Sequence, residues 1–223
     1  MKKRWALSTG VIVGLAVVAV FCWPASRYGV LGFINQERFE EGRPLSYWAQ
    51  ALKHEDSAVR EQAALILSRM SPDAREAVPQ LVEALKDPSS AVRVNAAVAL
   101  YKMGAEAKAY VPAFCDSLKD EIPFVRLDAA MALQKMGADA REAVPALMEA
   151  IQEKTNQPPL PFINLSVRQA AARALGRIGP EARDAVPLLT ESLKQKGDEK
   201  FTMEVSRALK LIDPQAATKA GIN

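Results

Sequence analysis

The sequence predicts an all-α solenoid of about five helical hairpins, carried behind one transmembrane helix. Three observations predict it. Several residue types recur with a 33-residue period, a glycine or serine closes each period, and a 19-residue run without charge follows a basic N-terminus. Composition agrees with a folded chain: 49% hydrophobic and 25% charged, too apolar for disorder.

Residues 1–4, MKKR, form a basic cap, and Trp5 through Trp23 carry no charge. As a helix those 19 residues span roughly 28 Å at ~1.5 Å each, against a hydrocarbon core of ~30 Å. Trp5 and Trp23 bracket the run at the interfacial depth that suits amphipathic rings, and the cap predicts a cytoplasmic N-terminus with the remainder exported. The expected location is the inner (cytoplasmic) membrane, single-pass, with the solenoid on the periplasmic or extracellular side. The alternative is export after signal-peptide cleavage. A signal peptide would have an apolar region of about 7–15 residues ending in a small-x-small site. Here Ala25 has Trp23 at its minus-three position, and Ser26 has Pro24. Gly10 and Gly14 form a small-xxx-small pair, a seam through which the anchor could dimerise.

Net charge is +3, and Lys2, Lys3 and Arg4 account for all of it. The remainder sums to zero, which argues against nucleic acid as a partner. Cys22 and Cys115 are too few and too separated for a disulfide framework or a metal site.

Residues 24–43 read as a polar spacer, and the repeats occupy 44–218. Pro79, Pro112 and Pro145 are 33 apart, with Pro187 after a further 42. Val59-Arg60, Val92-Arg93, Val125-Arg126 and Val167-Arg168 keep the same steps, as do Ala63-Ala64, Ala96-Ala97, Ala129-Ala130 and Ala171-Ala172. The longer step is the period plus a nine-residue insertion, placed within 153–164. Each unit reads as two helices. The first follows the Val-Pro, where proline suits a first turn because it lacks an N–H and fixes φ. The second, such as Val92 to Met103, carries Val92, Ala96, Ala99, Leu100 and Met103 on one stripe. Gly104, Gly137 and Gly179 then sit at C-cap positions, and alanine pairs let neighbouring helices approach closely. Tyr47 and Trp48 are expected to cap the first unit, which has no neighbour on one side.

Proline, an acid eight residues on and Val-Arg at thirteen and fourteen on is a pattern that resembles HEAT repeats. "GADAREAVPALMEAI" and "GRIGPEARDAVPLL" look like the short bacterial, phycobilisome-lyase-like variety. The resemblance covers about residues 44 to 215 and implies a right-handed α-solenoid. It also implies an Asp–Arg ladder across repeats, here Arg60, Asp87, Arg93, Asp120, Arg126, Glu153 and Arg168, fixing the repeat-to-repeat angle through charge-assisted hydrogen bonds. His54 holds the acidic position in repeat one, and Gln195 holds it in repeat five.

No catalytic set, metal site or cofactor site emerges. His54 is the only histidine and reads as a worn ladder residue. His54-Glu55 is similar to the His-Glu pairs of HEAT-like deoxyhypusine hydroxylases, which need several such pairs to hold iron. Cys115 replaces a valine on a first helix. First helices also carry Glu83, Asp116, Glu149 and Glu191, with Lys86, Lys119, Gln152 and Lys194 three residues later, read as an outer face of i,i+3 pairs.

The expected binding surface is the far side of the second helices, which in HEAT stacks lines the concave surface. Val94, Asn95, Val98, Tyr101 and Lys102 lie there in repeat two, and Leu127, Met131 and Lys135 in repeat three. Arg173 flanks them, and Phe162 in the proline-rich insertion is a candidate clamp. An apolar centre with a polar, partly basic rim fits a protein or peptide partner. The function expected is a membrane-anchored, non-enzymatic scaffold; the alternative is a phycobilisome-lyase-like, chromophore-handling enzyme.

Overall fold

The computed structural model describes residues 39–71, 73–104, 109–152, 165–195 and 197–222. The basic cap, the anchor with Trp5, Trp23, Gly10 and Gly14, most of the spacer, and the insertion with Glu153 and Phe162 lie outside the described residues. Among the described residues, no helix is long and apolar enough to cross a membrane.

The described chain starts with a small hairpin, β1 (Phe39–Glu40) paired antiparallel to β2 (Arg43–Pro44). Glu41 and Gly42 between them both have positive φ, as a two-residue hairpin turn requires. Five helical hairpins follow. They are α1 (Leu45–Ala51) with α2 (Ser57–Met70), α3 (Val78–Ala84) with α4 (Ser90–Met103), and α5 (Val111–Ser117) with α6 (Pro123–Met136). Then come α7 (Val144–Gln152) with α8 (Val167–Ile178), and α9 (Val186–Ser192) with α10 (Glu199–Ile212). A last short helix, α11 (Pro214–Lys219), is capped by the Asp213 side chain accepting from Ala216 N–H.

The periodic residues do what their spacing requires. Each Val-Pro opens a first helix, with proline at its second residue. Gly104, Gly137 and Gly179 end second helices at φ +59°, +58° and +75° with strongly negative ψ, a region nearly closed to side chains. The four alanine pairs are all buried. A further small-residue set lies in 3-10 turns leading into first helices, Arg75–Ala77, Gly137–Ala143 and Gly179–Ala185. There Ala77, Ala140, Ala143, Ala182 and Ala185 are fully enclosed. Trp48 closes the N-terminal end: it is buried, and its Nε1–H donates to the Glu40 carbonyl at 3.1 Å.

Second helices pack directly on one another in chain order, α2 on α4, α4 on α6, α6 on α8 and α8 on α10. Adjacent first helices touch sparsely and meet the next repeat largely through the 3-10 turns. The second-helix side, expected to be concave, is termed the inner side, and the first-helix side the outer.

Candidate partner-binding face

The stack is held in register by the arginine column, and the structure shows how. The Arg60 guanidinium donates to the Asp87 carboxylate at 2.7 and 3.1 Å, and Arg93 donates to Asp120 at 2.8 and 3.3 Å. Each arginine reaches an acid 27 residues ahead, in the next repeat. Within its own repeat it bonds backbone carbonyls: Arg93 Nη1 donates to those of Asp87 and Pro88, and Arg126 Nη1 to those of Asp120 and Glu121. The carboxylates are shared with the backbone: Asp87 accepts from Ser89 N–H and Asp120 from Ile122 N–H, both at 2.8 Å. Burial opposes ionisation of Asp87, but the bonds from Arg60 and Ser89 N–H hold its carboxyl below the usual range. His54 fills the same role in repeat one, its Nδ1 accepting from Asp56 N–H at 3.0 Å. The last rung has a neutral acceptor: Arg168 donates to Gln195 Oε1 at 2.8 Å, with its guanidinium 4.1 Å from the Phe201 ring centre.

The first-helix charges correct the sequence reading. Most do not pair at i,i+3. Lys53 pairs with Glu83, Lys86 with Asp116 and Lys119 with Glu149, at 2.7–3.2 Å across adjacent repeats. Lys194 with Glu191 is an i,i+3 pair. All are exposed, so each stabilises little.

On the inner side, residues at equivalent positions of successive repeats form three rows running across the helices. The row nearest the helix N-termini is Glu61, Val94, Leu127, Gln169 and Met203; the middle row is Leu65, Val98, Met131, Arg173 and Arg207. The row nearest the C-termini is Arg69, Lys102, Lys135, Arg177 and Leu211. Val94, Val98, Tyr101, Met131 and Arg173 are half-buried, and Lys102 and Lys135 are exposed. Leu127 differs: it is 0% exposed, so it packs the core and cannot meet a partner. Asn95 is half-buried and donates to the Ala91 carbonyl of its own helix at 3.0 Å. Arg173 bonds Glu204 of the next repeat at 2.9 Å. Lys135 stands 4.2 Å over the Tyr101 ring, and Lys102 Nζ donates to the Ser68 carbonyl at 2.7 Å.

Asp128 lies on the same face, which the helical wheel also gives, but its burial was not legible from the periodicity. It is 7% exposed, and burial raises its carboxyl to about 6 against the opposing charge of Lys102. The equivalent residue in the last repeat, Glu204, is also buried but accepts from both Arg173 and Arg207. In the Asp128 register the corresponding positions hold Val98 and Met131, which cannot donate. Comparing those two registers in the sequence would have exposed the difference.

Cys115 is half-buried on α5, and burial pushes its thiol up, away from nucleophilic character. Among the described residues, no three His, Cys, Asp or Glu side chains converge so as to hold a metal ion.

Two family models match. The HEAT repeats model covers residues 45–111, and the PBS lyase HEAT-like repeat model covers 125–153 and 167–195. No curated protein matches the sequence. Among solved structures, the complex of CpcE and CpcF of phycocyanin lyase from Nostoc sp. PCC7120 is similar at TM-score 0.61 and 26% identity, over 80% of this chain and 70% of that one. Computationally designed armadillo repeat proteins for modular peptide recognition align at TM-score 0.62 and 19% identity, over 80% and 88%. A designed armadillo repeat protein in complex with peptide (KR)4 aligns at 0.58 and 18%, over 80% and 82%. Repeats of the HEAT type are thus found within residues 45–195, in an armadillo-like helical solenoid.

Proposed function

We propose that this solenoid of HEAT-like repeats is a non-enzymatic scaffold that holds a protein or peptide segment along its second helices. The observation that carries the reading is the half-buried apolar strip of Val94, Val98 and Met131 on that side. Outer charges are neutralised pair by pair across repeats, whereas this strip keeps apolar side chains in contact with water, as a docking surface does. Designed armadillo repeat proteins of similar fold were made for modular peptide recognition, which is compatible with this reading. In this reading residues 5–23 tether the scaffold to the inner membrane, solenoid outside the cytoplasm, and the tether raises effective concentration beside membrane partners. Alkaline extraction tests the tether: the chain should stay with the membrane pellet, and recovery in the supernatant would overturn that part.

In-cell photocrosslinking from Tyr101 and Met131, with Glu83 and Glu149 as outer controls, tests the face. A discrete adduct from the inner positions alone is expected. No adduct, or equal adducts from both faces, would refute it.

The similarity to a phycocyanin lyase complex favours a second reading, a chromophore-handling enzyme. Bilin uptake, read as a shift in visible absorbance on mixing, separates the two: a scaffold should show none.

A further inference from the structure

The row at the C-terminal ends of the second helices contains four cations in one register, Arg69, Lys102, Lys135 and Arg177, all exposed. Helix C-termini attract cations, and Lys102 does cap α2, the second helix of the preceding repeat, through the Ser68 carbonyl. That accounts for their position, but not for their lack of carboxylate partners. On the outer side, Lys53, Lys86, Lys119 and Lys194 each pair with an acid. Among the described residues, none of the four inner cations is in an ion pair. Lys102 is the one whose charge is felt by Asp128. A chain that neutralises one face rung by rung leaves a row of cations open on the other, beside an apolar strip.

We infer that this row recognises an acidic, extended segment of a partner polypeptide, its carboxylates meeting the cations while apolar side chains rest on Val98 and Met131. The inference rests on the scaffold reading and adds the chemical class of the partner. Spacing supports it. Neighbouring packed helices lie about 8–10 Å apart, and a chain extended as polyproline II advances about 3.1 Å per residue with three residues per turn, so every third residue lies on one face and meets a new cation. A single-stranded nucleic acid would want open aromatic platforms, and the Tyr101 ring is covered by Lys135.

The test is fluorescence anisotropy with the full chain in mild detergent. Three labelled 12-residue peptides are compared, with Glu, Gln or Lys at every third position and Val or Thr between. The Glu peptide should bind at least tenfold more tightly than the Gln peptide, and the advantage should shrink with added salt. A Lys102→Gln/Lys135→Gln double variant should lose that advantage, and the outer control Lys119→Gln should keep it. Circular dichroism confirms that both variants are folded. Equal binding of the Glu and Gln peptides, preference for the Lys peptide, no binding by any, or an advantage that survives the double variant would each overturn the inference. So would stronger binding of an oligo-dT strand or anionic vesicles than of the Glu peptide. The two readings fail separately. Crosslinks from Met131 that persist in the double variant sink the acidic class and leave the scaffold standing; no crosslink at all sinks the scaffold.

Discussion

Asp128→Asn should stabilise this protein at neutral pH, and by much less in acid. The carboxyl is 7% exposed and is raised from 3.8 to about 6 in the fold. A raised carboxyl pKa means the native state binds the proton more tightly than the unfolded chain. Its favourable contribution is full below the unfolded pKa and is lost as pH rises through the folded one. That difference is worth about 3 kcal/mol. Asn keeps the shape and carries no charge. The gain should be about 3 kcal/mol at pH 7.5 and about 1 kcal/mol at pH 4.5, where most of the unfolded chain's Asp is ionised and the native Asp128 is protonated. For a domain of this size that corresponds to a Tm rise of roughly 6–12 °C at the higher pH and 2–4 °C at the lower. Thermal melts followed at 222 nm, both proteins in the same detergent, decide it. No gain at pH 7.5, or the same gain at both pH values, would refute the reasoning.

Other expectations concern the stack itself. Asp120→Ala removes the Arg93 partner and the acceptor for Ile122 N–H together, and should cost about 3 kcal/mol in urea titrations, as breaking an enclosed ion pair does. Gly137→Ala puts a side chain at φ +58° and should cost ~1–2 kcal/mol, read as a fall in urea midpoint. Gly176→Val should cost ~1–3 kcal/mol by overpacking, because a Cβ there would lie 3.0 Å from Ala208 Cα. Lys119→Gln, on the outer face, should leave the melting curve unchanged.

The hairpins, their C-cap glycines and the alanine contacts were legible because each occupies its own column of the 33-residue period. The partners within that period were less so. An Asp–Arg separation of six inside a repeat and 27 between repeats complete the same period, so spacing alone could not say which carboxylate an arginine holds. The outer lysines posed the same ambiguity: Glu83 and Lys86 sit three apart, yet Lys86 reaches Asp116 instead. A helical wheel put Val94 and Leu127 on one face. Their burial differs because neighbouring repeats cover the two positions unequally, and a wheel drawn for one helix does not contain its neighbours. The 3-10 turns were missed because their alanines have no turn signature and are selected by the space between layers. The C-terminal α11 had a readable start in Asp213-Pro214.

The two layers of the stack also differ as elastic materials. Along the inner side, buried alanine contacts between α2, α4, α6, α8 and α10 are close-packed and resist stretching, because separating such helices opens voids. Along the outer side, the links between repeats include exposed lysine–carboxylate pairs that water and salt weaken. A strip that is stiff along one edge and compliant along the other bends about the stiff edge. Its curvature is expected to change mainly by stretching on the outside, with residues along the inner rows keeping nearly constant spacing from repeat to repeat.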